Sequence, residues 1–293
     1  MKTPFRGTIN QIRYKSKWRS IINLPFIRNA MKQDFKNQTV MITGASSGFG
    51  AAFAEAFARE GASLINIARR KDRLQALESS LQEKYGVEIL SIELDVSDEK
   101  AVVEKLGLLA KDSIVPDLLI NNAGMVRGLN KVWETPPQDW NEMIDINIKG
   151  LLNVSAQIIP HMVKKNAGHI INVGSISSHD TYPGGGIYCA TKFAVKAITD
   201  TLRKELVNTP IRVSMISPGM AETEFSLVRF AGDKDKANAV YENIQPLTAE
   251  DVAEIVLFMA TRPPHVNLAD VVVYPTHQAS VSLVYRGEGK AKS

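Results

Sequence analysis

The side chains of this chain best suited to chemistry are Tyr188 and Lys192, with Ser175 upstream in the run Ser175-Ile176-Ser177-Ser178. Tyr188 and Lys192 are four residues apart, so on a helix they share a face. An ammonium beside a phenol favours the phenolate and lowers a pKa that is ordinarily about 10. Such a tyrosine can trade a proton with an alcohol or a ketone near neutral pH. Taken singly, each residue also suits a structural role; the combination is what points to proton transfer. A second constellation is Thr43-Gly44-Ala45-Ser46-Ser47-Gly48-Phe49-Gly50. Glycines in such a turn let the backbone approach a pyrophosphate, whose charge is met by free N–H groups at a helix N-terminus. The spacing is G-x-x-x-G-x-G rather than G-x-G-x-x-G, and glycines also serve bare tight turns. A third is Ala68-Arg69-Arg70-Lys71. An NAD site places Asp or Glu at this point to accept from the ribose hydroxyls. Three adjacent cations suit a 2′-phosphate instead, and they oppose the dipole of the helix they begin, so local stability does not explain them. NADP(H) is therefore the expected cofactor.

These residues need elements to hold them. Apolar runs at Thr39–Thr43, Ser63–Ile67, Glu88–Asp95, Asp117–Asn121, His169–Gly174, Ile211–Ser217 and Asp270–Tyr274 read as strands. Amphipathic stretches near 48–60, 71–85, 98–112, 138–165, 186–207 and 248–260 read as helices. Strands apolar on both faces suit a parallel sheet buried under helices, and the alternation predicts an α/β, doubly wound sheet of about seven strands. The segment from Ser217 to about Thr248 is long for a connection in a compact domain, which marks a lid.

The chain has 293 residues, 44% hydrophobic and 23% charged, which excludes a disordered, collagen-like or coiled-coil protein. No linker divides residues 34–293, so they read as one domain. No apolar run approaches the roughly 18 residues of a membrane span. A single cysteine and five scattered histidines give neither a disulfide framework nor a metal site. The net charge of +4 is concentrated in residues 1–33, which hold eight basic side chains and no acidic one. The remaining 27 basic and 31 acidic side chains leave residues 34–293 at −4, so the folded part repels phosphate backbones and nucleic acid is not an expected partner. Three readings of the basic N-terminal extension stand side by side: a mitochondrial presequence or membrane-surface helix, a solvated tail, or a start codon that is truly Met31.

Order and spacing of the motifs make the chain similar to the short-chain dehydrogenase/reductase family across residues 37–285. The matching pieces are Thr43–Gly50, Asp95-Val96, Asn121-Asn122-Ala123-Gly124, Asn147, Ser175, Tyr188 with Lys192, and Pro218-Gly219 with Thr223. The run Pro218–Phe230 and the later Tyr274-Pro275-Thr276-His277-Gln278 resemble the branch of NADP-dependent 3-hydroxy acid dehydrogenases acting on serine, allo-threonine and small 3-hydroxy acids. The resemblance implies a Rossmann fold with Tyr188 as general acid/base. Lys192 would lower its pKa and bind the nicotinamide ribose, Ser175 would polarise the substrate oxygen, and Asn147 would hold a water relaying protons to Lys192. It further implies that Gly44, Ser46, Ser47, Gly48, Phe49 and Gly50 carry the pyrophosphate, with Arg69 and Arg70 on the 2′-phosphate. Asp95 and Val96 would meet adenine, Asn122, Ala123 and Gly124 the ribose, and Pro218, Gly219, Ala221 and Thr223 the carboxamide. Phe49 and Ala221 depart from the usual residues, at positions that mainly present backbone. The resemblance also implies a cytoplasmic homo-oligomer, a tetramer or a dimer, built on the 138–165 and 186–207 helices.

Other side chains have two readings each. Arg229 in the lid segment and Arg127 after the fourth strand could clamp a substrate carboxylate, or be surface arginines. Cys189 reads as a small buried hydrophobe and His179 as a solvated loop residue. The rivals to a 3-hydroxy acid dehydrogenase are a carbonyl reductase of broader scope and, from a different class, a catalytically silent NADP-binding regulator. The silent reading needs a damaged Ser–Tyr–Lys set, and this one is intact.

Overall fold

The computed structural model describes residues 35–111 and 114–287. The basic extension, residues 1–33, lies outside them. Seven parallel strands form one sheet in the order β3-β2-β1-β4-β5-β6-β7. They are β1 (Thr39–Thr43), β2 (Ser63–Ala68), β3 (Ile89–Glu93), β4 (Leu118–Asn121), β5 (His169–Val173), β6 (Arg212–Pro218) and β7 (Asp270–Val273). The helices are α1 (Gly48–Arg59), α2 (Lys71–Tyr85), α3 (Glu99–Lys111), α4 (Pro137–Ile144), α5 (Leu151–Lys165), α6 (Gly186–Glu205), α7 (Glu224–Arg229), α8 (Lys234–Ala239) and α9 (Ala249–Ala260). The expected doubly wound architecture is present, with core on both faces of the sheet.

On one face Phe53 and Phe57 of α1, Leu74 and Leu81 of α2, and Val252 and Val256 of α9 pack on Val40, Ile42, Leu64 and Ile120. On the other, Val102 and Leu106 of α3 and Val154, Ile158 and Met162 of α5 pack on Met41, Ile65, Leu119 and Ile170. This second face also carries a buried polar ladder. The Asn121 amide donates to Ser155 Oγ (3.1 Å) and Asn172 Oδ1 (2.9 Å), and the Asn172 amide donates to Thr199 Oγ1 (2.9 Å). Asn121 and Asn172 are direct register partners on β4 and β5, so the ladder joins α5, two central strands and α6.

Two expectations need correction. The single helix read over 138–165 is interrupted by a π turn, Asp145–Gly150, between α4 and α5. The wider turn seats Gly150 against Val96, where a Cβ would lie 2.6 Å from a valine methyl. Such turns re-aim side chains, here Asn147. The segment after β6, read as loop, contains the short helices α7 and α8.

Candidate active site

In an open parallel sheet, ligands bind beyond the carboxyl ends of the strands, where the connections diverge to opposite faces. Here β1 and β4 diverge, and the segments leaving the strands surround one cavity of about 750 Å³. Gly44 and Gly48 adopt left-handed φ values of 68° and 52°, which side chains disfavour. A Cβ on Gly50 would lie 2.2 Å from the Gly44 carbonyl, so the helix start can sit this close to the turn only as glycine. The Thr43 hydroxyl accepts the N–H groups of Asn122 and Ala123, both at 3.0 Å, and the Asn122 amide donates to the Thr43 carbonyl at 2.8 Å. The turn after β1 and the segment after β4 are thereby one wall.

At the far end Arg70 donates to Ser46 Oγ (3.2 Å), Ser47 Oγ (2.5 Å) and Glu224 (3.0 Å). Arg69 is more exposed and reaches Asp95 at 3.5 Å. Burial pushes the Asp95 carboxyl up, but the Ser97 hydroxyl and N–H and the Arg69 charge outweigh it and leave its pKa lowered. Ser46, Ser47, Gly48, Phe49, Arg69, Arg70, Asp95 and Val96 all line this end of the cavity, and Asn122, Ala123, Gly124, Pro218, Gly219, Ala221 and Thr223 line the rest. A bare glycine cradle ending in two arginines fits a dinucleotide with an added phosphate on its adenosine ribose.

Ser175 caps the 3₁₀ turn Ile176–Ser178 that follows β5. Its hydroxyl accepts the Ser177 N–H at 3.0 Å, leaving its own proton to be donated. Tyr188 and Lys192 lie on α6 and face the same cavity. The Lys192 ammonium is 5% exposed, donates to the Val173 carbonyl at 2.9 Å and sits 5.9 Å from the centre of the Tyr188 ring. Burial lowers its pKa to about 8. The Tyr188 phenol is pushed up from its ordinary value by burial, with the Ser175 hydroxyl opposing the shift. The pairing expected from the four-residue spacing is present, but desolvation decides the phenol and holds it protonated. Asn147 accepts the Met125 N–H (2.8 Å) and donates to the Met125 carbonyl (2.9 Å) and Thr191 Oγ1 (3.0 Å), fixing the segment after β4 against α6. A Cβ on Gly124 would stand 3.4 Å from Asn147 Oδ1 and 3.6 Å from Lys192 Nζ, so glycine keeps the space between them open.

The lid segment closes the side above Tyr188. The Phe225 ring meets the Tyr188 ring edge-on at 5.7 Å, and Thr223 caps α7 by accepting the Phe225 N–H. Arg229 donates to the Tyr182 hydroxyl at 3.0 Å and lines the cavity. It has no carboxylate partner among the described residues, and its Nε is buried without an acceptor. Arg127 differs. It grips Glu142 through two bonds of 2.8 and 2.9 Å, donates to the Val228 carbonyl, and is not part of the cavity wall. Cys189 is buried on α6. His179 is an exposed loop residue, as expected, with its ring 3.2 Å from Ser217 Oγ and 3.4 Å from the Asp270 carboxylate.

Several contacts of the site carry no local sequence signal, although Gln278 belongs to the run Tyr274–Gln278 on which the family resemblance also rests. Tyr182, which holds Arg229, stands in a loop. Gln278 accepts the Met220 N–H at 2.8 Å and so fastens the lid's first residues. Arg286 donates to the carbonyls of Glu242 (2.5 Å) and Val240 (2.9 Å), strapping the lid's far side. These contacts depend on how distant segments meet, which no local pattern reveals.

Residues 38–233 match the family described as short chain dehydrogenase. The chain is 44% identical over 250 residues to an NADP-dependent 3-hydroxy acid dehydrogenase of Schizosaccharomyces pombe, covering 85% of this chain and 96% of that protein. It is 44% identical over 241 residues to sulfoacetaldehyde reductase 2 of Chromohalobacter salexigens, covering 82% and 95%. A closed form of serine dehydrogenase complexed with NADP+ superposes with a TM-score of 0.78 at 38% identity, over 87% of this chain and all of that one.

Proposed function

The chain belongs to the short-chain dehydrogenase family, and from that premise we propose that it oxidises the 3-hydroxyl of small 3-hydroxy acids, L-serine and L-allo-threonine among them. It is an oxidoreductase of the NADP(H)-dependent kind. The observation that carries the substrate class is Arg229, a cation on the cavity wall beside Phe225 and Tyr182 with no carboxylate of its own. An unpaired carboxylate in a partly dry site is costly, and a guanidinium offers it a fixed fork. The two relatives named above act on substrates that carry a carboxylate or a sulfonate beside the reacting carbon chain, which agrees with an anion site.

The cofactor, when bound, accepts or gives the hydride. Ser175 holds the substrate oxygen by donating its hydroxyl proton. Tyr188 exchanges a proton with that oxygen, giving it in the reductive direction and taking it in the oxidative one. Lys192 keeps a positive charge beside the phenol and holds the ribose, and Asn147 supports a water relaying protons toward Lys192. Oxidation at C3 yields a β-keto acid, which loses CO₂ without help. We further propose that Arg69 and Arg70 read the 2′-phosphate, that the protein acts in the cytoplasm, or in the mitochondrion if residues 1–33 are a presequence, and that it works as a homo-oligomer.

Arg229→Ala tests the substrate class. The KM for L-serine should rise about tenfold or more, the scale of a charge-assisted contact of about 1.5–3 kcal/mol. A neutral ketone should be nearly unaffected. Unchanged serine kinetics in this variant would make the broader carbonyl reductase the better reading.

A further inference from the structure

Glu224, the first residue of α7, lines the cavity, and its carboxylate is joined to the arginines after β2. One oxygen meets Arg70 at 3.0 Å and the other meets Arg73 at 2.6 Å. Arg70 and Arg73 are three residues apart at the start of α2, so their guanidinium groups converge on one side of the helix. Two guanidinium groups sharing one anion is the arrangement that recognises a phosphate. The remaining nitrogens of Arg70 are already committed to Ser46 and Ser47, so the edge facing Glu224 is the one left for a ligand.

We infer that Glu224 is a built-in competitor for the cofactor's adenosine phosphate: it occupies Arg70 and Arg73 until that phosphate displaces it. This rests on the reading that Arg70 binds the 2′-phosphate. A carboxylate and a phosphate dianion on the same guanidinium edge repel, so one must leave. Both ion pairs are about two-fifths exposed, where such pairs contribute little, and the exchange is cheap. The ion pair between Arg70 and Glu224 is also a tether. Helix α7 has six residues, with Glu224 at one end and Arg229 at the other. Arrival of the phosphate frees the end of the lid whose opposite end carries the anion-binding cation, so Glu224 sets cofactor selectivity and couples it to the substrate side.

Calorimetric titration with adenosine 2′,5′-bisphosphate and with adenosine 5′-phosphate separates the parts. Glu224→Gln should tighten the bisphosphate about three- to tenfold, the value of one or two exposed ion pairs, and leave the monophosphate unchanged. Bisphosphate affinity that is unchanged or weaker in this variant overturns the inference. Arg70→Ala should remove most of the preference for the bisphosphate; if the preference survives, the phosphate assignment itself has failed, whatever Glu224→Gln does. Hydrogen exchange gives an independent check on the unaltered chain. The bisphosphate should raise exchange in residues 224–232, the monophosphate should not, and indifference to both overturns the tether.

Discussion

Lys192 is enclosed, donating to the Val173 carbonyl, and the enclosure lowers its pKa to about 8 against roughly 10.4 in an unfolded chain. Between those values the unfolded chain binds a proton that the folded one does not. Stability from this group is therefore complete above the unfolded value and is lost as pH falls toward 8. Lys192→Met removes the titration. The difference in unfolding free energy between parent and variant, read from denaturant titrations, should favour the parent progressively from pH 8 to pH 10, by up to about 3 kcal/mol in all. A constant difference would mean that the lysine is not desolvated. Tyr188→Phe should cut turnover by at least about 10²-fold with NADP(H) affinity nearly intact, since the ring and its Phe225 contact remain. Both residues were legible in the sequence because a spacing of four on a helix fixes a shared face. The direction of the phenol's pKa was not, because it depends on how much protein covers the ring.

At the scale of elements, the strands were legible as short apolar runs, with ends displaced by a residue or two, and only the edge strands β3 and β7 lack a buried residue. The π turn was not: Asp145–Gly150 preserves helical periodicity closely enough to pass as one helix. The lid helices were hidden for another reason, being six residues each and held by caps and tethers rather than by an apolar stripe. Those tethers are testable. Arg286→Ala frees the carbonyls of Val240 and Glu242, loosening the lid without touching Ser175, Tyr188 or Lys192. We expect a several-fold rise in KM, with faster hydrogen exchange in residues 234–247, and little loss of Tm; unaltered exchange would show that the lid does not need the strap.

For the whole molecule, α5 and α6 each present a row of exposed small and apolar side chains at helical spacing. On α5 these are Leu152, Ala156, Pro160 and Val163, and on α6 Ala190, Phe193 and Ala197. Leu152 and Phe193 are 43% and 42% exposed, more than a core-forming helix needs to leave uncovered. A second copy of the chain would cover them. Leu152→Glu with Phe193→Glu should lower the mass measured by light scattering while keeping the secondary structure; an unchanged mass would place the interface elsewhere. Removal of residues 1–30 should leave activity intact, since the first described strand begins at Thr39 and every site residue follows it.

The two asparagines of the central strands bear on how the chain finds one alignment. Strands β4 and β5 are buried along their whole length, so their apolar residues would be covered at several offsets. Shifting either strand by one residue carries its asparagine to the opposite face, beneath α1 and α9, where the surrounding side chains are apolar. Each amide group stranded there costs about 1–3 kcal/mol, and the Ser155 and Thr199 hydroxyl oxygens would each lose a donor as well. A misaligned sheet is thus penalised by a few kcal/mol, a sizeable fraction of the roughly 5–15 kcal/mol that stabilises an ordinary domain. Greasy strands supply the cohesion in this protein, and one pair of amides supplies the uniqueness that places Ser175 at the end of β5 opposite Lys192.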